Sequence, residues 1–408
     1  MKPSKRKITV LKQICKLIPR NVVSKLAKKH GVDKQSRSFS PWSHVISLVY
    51  AQLSHAMSLN DVCDALSNHA SSLKDIRGAT PPSRNGLSYA NRKRNADMAE
   101  DLFWNVLGNF HNQNPKFGLK HKYCKLPRRF KRTINAVDSS TIQLFANCLD
   151  WAKHRRRKAA AKMHLRLDLQ SFLPQVVIVK SANSHDSVEA KELCCGVRSG
   201  EIVVFDKAYV DFNHLNILSR RQVFWVTRAK DNMQYKVVRQ HSVPRGNIIR
   251  DIEIKLTVEK SAELYSDALR LVEAEVEVNG QKKVMIFITN NFEWAASSIC
   301  ELYKARWGIE LFFKQIKQTL QISDFLGYNE NAVRWQIWTA LLAYLILRYI
   351  GYMNKWKYSF PRLFTVLRAV LWSLVDLNGT LKLCGTAHGP IRLRAAPEQG
   401  YLPSFCPC

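Results

Sequence analysis

Ile202-Val203-Val204-Phe205 is a continuous apolar run of strand length that ends on a carboxylate, Asp206. A strand with one wet face alternates apolar and polar residues, so an unbroken run suits a strand buried on both faces. Ile134-Asn135-Ala136-Val137 leads in the same way into Asp138. Between about 132 and 228 such short runs recur, separated by helical stretches. Strands are expected at 132–138, 163–169, 174–181, 202–206 and 223–227, and helices near 187–195 and 211–219, so an α/β sheet is the economical fold.

From about 229 to 291 the texture changes. Ile252-Glu253-Ile254-Lys255-Leu256 and Glu275-Val276-Glu277-Val278 alternate, and Asn279-Gly280 precedes another apolar run, Val284 to Thr289. This is the pattern of a hairpin, read as an antiparallel insertion lying outside the core sheet. Helix resumes near 295. The apolar stretch Trp335 to Ile350 contains Gln336, Thr339 and Arg348 and falls short of the ~20 residues that span a bilayer, so a buried helix is expected. Residues 1–80 are helical in pattern and rich in cations. Pro41 after Ser40, and Ser58-Leu59-Asn60-Asp61, mark the starts of two helices, the outline of a helix-turn-helix or of any helical hairpin. The expected organisation is a helical N-terminal DNA-binding domain (1–80), a helical connector (81–130), the first part of the α/β core (131–228), the insertion (229–291), the end of the core (292–330) and a helical C-terminal region (331–408).

The formal charge is +31, from 63 Lys plus Arg against 32 Asp plus Glu. A polyanionic partner is implied. Two basic stretches stand out: Lys120, Lys122, Lys125, Arg128, Arg129, Lys131 and Arg132, then Lys153 to Lys158 interrupted only by His154. No apolar run of signal-peptide length follows the cationic start, and ten scattered cysteines lack a C-x-x-C pair, which points to a reducing cytoplasm. The sequence contains no phosphate-binding loop, nucleophile elbow or H-E-x-x-H pair, so no nucleotide cofactor is expected.

The segment Glu301 to Lys317 carries the remaining chemistry. At about 100° per residue, Tyr303, Arg306, Glu310 and Lys317 fall within roughly 60° of one another on a helix, away from Leu302, Ile309, Phe312, Phe313 and Ile316. A polar face with i, i+4 ion pairs would have the same pattern. An Asp at a strand end often only caps a turn. Together, however, Asp138, Asp206 and Glu310 would form a three-carboxylate cluster that stays ionised only beside cations, and oxygen-only ligands suit magnesium or manganese. Two such ions stabilise both oxygens of a phosphodiester displacement.

Tyr303-(2)-Arg306-(3)-Glu310-(6)-Lys317 resembles the Y-R-E-K signature of DDE transposases in the IS-four group of bacterial insertion sequences. Ala136 to Thr141 looks like the family's first Asp motif and Val204 to Tyr209 like its second. Leu17 to Arg20 and Ala51 to Leu53 are similar to the helical N-terminal domain of one branch. The resemblance covers nearly the whole chain and is weakest after about residue 380. It implies an RNase H-like core interrupted by a β-rich insertion, with Asp138, Asp206 and Glu310 as catalytic ligands of two Mg2+ ions that Mn2+ can replace. Tyr303, Arg306 and Lys317 would contact phosphates near the cleaved end, and Trp307 would stack on a distorted base.

The expected function is therefore an insertion-sequence transposase that binds its element's terminal inverted repeats and transfers the 3′ ends to target DNA. The expected partners are double-stranded DNA and a second copy of the chain, with no membrane, in the bacterial cytoplasm at the nucleoid. The alternatives are a structure-selective nuclease on the same core and a domesticated DNA-binding regulator. Two departures from the family pattern stand out: Ala208 replaces a common Gly, and Met285 stands where some members place a base-stacking Trp, Trp225 lying too early to replace it. His164 and His185 are read as structural.

Overall fold

The computed structural model describes residues 8–34, 38–119, 130–144, 153–154, 158–181, 186–243, 246–278, 280–320, 326–327 and 329–384. Lys120, Lys122, Lys125, Arg128 and Arg129, Arg155 to Arg157, His185, Asn279 and the tail after 384 lie outside the described residues.

Helices α1 (Val10–Cys15), α2 (Val22–Lys29), α3 (Pro41–Ser54), α4 (Leu59–Asn68), α5 (Ala70–Lys74), α6 (Arg84–Lys93) and α7 (Asp97–Gln113) precede the first strand. The start signals read from the sequence are physical caps. Ser40 Oγ accepts from the Ser43 N–H at 3.0 Å with Pro41 in the first turn. Ser58 and Asp61 form a reciprocal capping box, at 3.2 and 2.8 Å.

Strands β1 (Ile134–Leu144), β2 (Lys153–His154), β3 (Lys158–Asp168), β4 (Leu173–Ser181), β5 (Ile202–Phe205), β6 (Phe224–Arg228), β7 (Tyr235–Gln240), β8 (Ile248–Leu256), β9 (Leu269–Val278) and β10 (Gln281–Thr289) form one sheet. Its order is β2-β3-β1-β5-β6-β10-β9-β8-β7, with β4 also paired to β3. β1, β5 and β6 run parallel, and every other pairing is antiparallel. Between the strands lie α8 (Asp186–Leu193), α9 (Phe212–Arg220) and the short α10 (Glu259–Leu264), and after them come α11 (Ala296–Ala305), α12 (Trp307–Lys314), α13 (Glu330–Met353), α14 (Phe360–Ala369) and α15 (Leu377–Cys384).

One expectation is corrected. Strands β7 to β10 are antiparallel, as their alternation predicts, and Gly280 turns at φ +77°. They do not stand outside the core sheet but extend it, since Thr289, Ile288 and Phe287 of β10 pair with Val226, Thr227 and Arg228 of β6. The reason is that β6 would otherwise be a buried edge: Val226 and Thr227 are fully buried, and their unpaired backbone groups would have no water.

The sheet divides the interior. On one face α8, α9 and the insertion bury Val137, Val203, Phe205, Leu215 and Trp225. On the other, Ile134, Ala136, Ile202 and Val204 join the N-terminal helices, α11, α12 and α13 in one continuous core. The apolar stretch expected as a buried helix is the middle of α13, buried on all sides from Trp335 to Leu347. Among the described residues no helix is long and apolar enough to cross a membrane.

A buried polar seam joins α13 to the N-terminal helices. His44 of α3 lies 2.8 Å from Asn91 Oδ1 of α6 and against the Trp335 ring, with centroids 4.5 Å apart. Burial, reinforced by Arg94, lowers the His44 pKa to about 3. The unfolded chain thus binds a proton below about 6.5 that the folded protein refuses until about 3, and stability falls with pH across that window. The expected slope is about 1.4 kcal/mol per pH unit. Urea unfolding at stepped pH measures it, and His44→Gln, which keeps an amide for Asn91, should flatten it.

Candidate active site

Parallel register brings the two aspartates together. Val137 of β1 pairs with Phe205 of β5 and the parallel pairing ends there, so the next residues, Asp138 and Asp206, are neighbours, Asp206 just past the end of β5 and Asp138 midway along β1, which runs on beside β3 to Leu144. Alternation puts them on the face of Ala136 and Val204, away from Val137 and Phe205. That face is covered by α11 and α12, through Ile299, Leu302, Ile309 and Phe312. Clefts beyond the carboxyl ends of parallel strands are the usual ligand sites of such sheets.

From the covering helices, the Tyr303 hydroxyl donates to Asp206 Oδ1 at 3.1 Å. The Arg306 guanidinium donates from one terminal nitrogen to Asp138 Oδ2 at 2.8 Å and from the other to Glu310 Oε1 at 2.7 Å. Lys317 Nζ donates to the Thr141 carbonyl of β1 at 2.5 Å. Residues separated by 168 positions thereby meet within hydrogen-bond distance. Trp307 is 53% exposed beside them.

The helix is not the uniform one assumed from the wheel. It breaks at Arg306 between α11 and α12, and α12 passes into a π turn at Gln315–Thr319 that contains Lys317. The polar stripe also does not simply face solvent: Tyr303 and Arg306 are buried against the sheet, while Glu310 and Lys317 are partly open. The i, i+4 ion pair expected of an ordinary amphipathic helix is present as Arg306–Glu310, but Arg306 simultaneously bridges to β1.

The electrostatics follow from this burial. Loss of water pushes the Asp138 carboxyl up to about 6; Asp206 and Glu310 push the same way, while Arg306 and the Ser139 N–H oppose them. Burial pushes the Tyr303 phenol up to about 12, keeping it a donor, with Arg306 and Arg228 pulling against that rise. Burial works against the Arg306 charge, but Asp138, Tyr303, Asp206 and Glu310 hold its pKa above the ordinary value. Burial lowers the pKa of Lys317. Removing Arg306 would leave like charges uncompensated, a loss of about 3–5 kcal/mol for a buried pair.

Sequence reasoning missed Arg228. Val204 pairs with Val226, so two residues further on Asp206 is flanked by Arg228, at the end of the third parallel strand. A cation closing that strand was the available signal. Trp225 is fully buried, its Nε1 donating to Ser219 Oγ at 3.0 Å, and Met285 lies on β10 opposite Ala274. His164 is fully buried on β3 opposite Ser139.

Among the described residues no three carboxylate, imidazole or thiolate groups stand close enough to hold a metal ion as the side chains lie. Arg306 fills the space between Asp138 and Glu310. The donor set still fits a hard cation, because it consists of carboxylate oxygens whose repulsion already draws in a positive group. Asp138, Asp206 and Glu310 are the residues that could hold a divalent ion, with Arg306 giving way.

The family described as Transposase DDE domain matches residues 129–346, which span all of these side chains. The chain is 31% identical over 279 residues to the Putative transposase y4zB of Sinorhizobium fredii, covering 67% of this chain and 73% of that protein. It is 27% identical to the Probable transposase for insertion sequence element IS5377 of Geobacillus stearothermophilus, over 56% of this chain and 59% of the relative. The chain belongs to the DDE transposase family.

The transposase also matches a Domain of unknown function (DUF4372) over residues 6–76, which carries α1 to α5. Transposase InsG for insertion sequence element IS4 of Escherichia coli is 23% identical over 46% of this chain and 43% of its own length. The protein is thus an insertion-sequence transposase, an enzyme of DNA cleavage and transfer, and its family depends on divalent metal.

Asp138 should take up a proton as the pH falls through about 6 in the metal-free transposase. Arg306→Gln removes the group that opposes this rise and should move the midpoint higher, whereas added Mg2+ competes with the proton and should move it lower. Carbon-detected NMR titration of aspartate side chains, assigned with Asp138→Asn, reads both shifts. A midpoint unmoved in Arg306→Gln would mean that the guanidinium does not engage Asp138 in solution.

Proposed function

We propose that this transposase binds the terminal inverted repeats of its own element, cuts beside them and joins the 3′ ends to target DNA on an RNase H-like core. Asp138, Asp206 and Glu310 are the catalytic ligands of two Mg2+ ions, for which Mn2+ can substitute. When bound, the ions supply charge neutralisation at the attacking and leaving oxygens of the phosphodiester. Tyr303, Arg306 and Lys317 hold phosphates near the cut, and Trp307 offers its exposed ring to a base that has left the stack. Joining two ends to one target calls for two active sites, hence a homodimer in the DNA complex. Its place of work is the cytoplasm, at the nucleoid.

The observation that carries the reading is the Arg306 bridge between Asp138 and Glu310. A guanidinium with five donors suits phosphate as well as carboxylate, so a DNA phosphate can draw it away from the very oxygens a metal needs. Arg306 thus orients the incoming strand while the carboxylates turn to the metal. Tyr303, kept protonated, donates to Asp206 or to a phosphate oxygen but cannot take a proton from the nucleophile near neutral pH. The charge of +31 supplies attraction over the rest of the DNA.

Glu310→Gln nearly preserves shape and removes one ligand charge. Magnesium-dependent nicking and strand transfer on a fragment bearing the element's end should fall by about a hundredfold or more, with DNA affinity retained. Affinity should decline steeply with salt, by about 0.9 in log–log slope per phosphate neutralised. Full cleavage and joining by Glu310→Gln would leave Glu310 a mere ion-pair residue and overturn the assignment; nicking without joining by the unmodified protein would favour a nuclease.

A further inference from the structure

The end of the catalytic helix is held by a residue of the N-terminal region. Helix α3 stops at His55, which adopts a left-handed conformation (φ 60°, ψ 46°) usually left to Gly or Asn. Its ring stacks on Phe364 of α14 at 4.6 Å. One ring nitrogen, Nε2, lies 2.5 Å from the Thr319 carbonyl, and the other, Nδ1, lies 3.0 Å from a guanidinium nitrogen of Arg368. A carbonyl only accepts and a guanidinium only donates, so the partners fix the tautomer: Nε2–H donates to Thr319, and Nδ1 accepts from Arg368.

Thr319 closes the π turn Gln315–Thr319, and Lys317 sits at its centre with its ammonium on Thr141, three residues beyond Asp138. Terminal carbonyls of a helix have no partner within it. A π turn is moreover an uncommon geometry that shifts the phase of every residue it contains and recurs at functional sites. Here its last carbonyl is bonded from another part of the chain, by a residue whose backbone strain persists only because its surroundings over-determine it.

We infer that His55 is a positioning residue: by bonding the Thr319 carbonyl it holds the π turn in the phase that presents Lys317 to DNA phosphate beside the active site. The N-terminal region, matched over residues 6–76 to a domain of unknown function, thereby takes part in arranging the catalytic helix. The inference rests on the phosphate role proposed for Lys317.

The test is a double-mutant cycle in the full chain, reading by anisotropy the affinity for a labelled duplex that carries the element's terminal repeat. Lys317→Ala in the parent should weaken binding about tenfold, the loss of one charge-assisted hydrogen bond. His55→Gly relaxes the backbone but supplies no donor, and in that background Lys317→Ala should cost less than about twofold, because the ammonium is already misplaced. His55→Asn, which tolerates the left-handed region and carries an amide donor, should restore part of the coupling. Should His55→Gly fold poorly by its thermal midpoint, Arg368→Met, which frees the ring from its tautomer-setting partner, enters the same cycle with the same expected direction. Equal effects of Lys317→Ala in all backgrounds would overturn the inference and leave His55 a packing residue. No effect of Lys317→Ala in the parent would overturn the phosphate role of Lys317 itself, and this coupling with it.

Discussion

A helix that is apolar on every side has no stable place except the middle of a molecule, and α13 imposes that requirement on everything around it. Its start is fixed to the N-terminal helices, where Trp335 Nε1 donates to the Arg94 carbonyl at 2.7 Å and Arg334 pairs with Asp97. Further along, the Tyr344 hydroxyl donates to the Phe172 carbonyl between β3 and β4, and the Tyr344 ring packs on Phe312 of α12 and Phe360 of α14. One buried element therefore sets the N-terminal helices, the sheet and the catalytic helix relative to one another. Each large aliphatic side chain it buries contributes about 1.5–3 kcal/mol, so these elements move together or not at all.

Within that frame the active site is governed by repulsion among anions. Sheet register delivers Asp138 and Asp206 side by side, and α12 adds Glu310. Low dielectric makes the crowding worse, and the chain answers it with the Arg306 guanidinium on Asp138 and Glu310 and the Tyr303 hydroxyl on Asp206. The same donors suit a phosphate backbone. On the proposed reading, a site built this way is balanced among metal, guanidinium and DNA rather than rigidly committed to any one of them.

Much of this was legible in the sequence, for reasons that differ residue by residue. Asp206 could be found because the buried strand β5 is written as an unbroken apolar run that stops on its carboxylate, and Asp138 because it follows a mostly apolar run, interrupted by Asn135, although β1 continues past it to Leu144. Capping serines at 40 and 58 are local chemistry and read directly. The fate of β7 to β10 was not legible, because alternation reveals a hairpin but not the strand that will accept it; that depended on β6 needing a partner. The helical wheel grouped Tyr303, Arg306, Glu310 and Lys317, yet it assumed one unbroken helix and could not foresee the break at Arg306 or the π turn. Burial of Tyr303 and Arg306 escaped it too, since a polar stripe looks the same facing water or facing carboxylates. His55 gave no signal, for its partner carbonyl lies 264 residues away.

The place of α13 in the chain has a bearing on how the protein is made. The apolar faces of α3, α6 and α7 leave the ribosome long before the helix they pack against, which begins roughly 280 residues after α3 ends. At a translation rate of roughly 5–20 residues per second α3 waits about 14–56 s for that partner, and α6 and α7 somewhat less. Folding of so many sequence-distant contacts is intrinsically slow, and the interval exposes the growing polypeptide to aggregation and to chaperones. The same delay keeps Asp138 and Asp206 apart from Arg306 and Glu310 until most of the chain has been synthesised, so a truncated translation product carries the first two acidic residues without the means to use them.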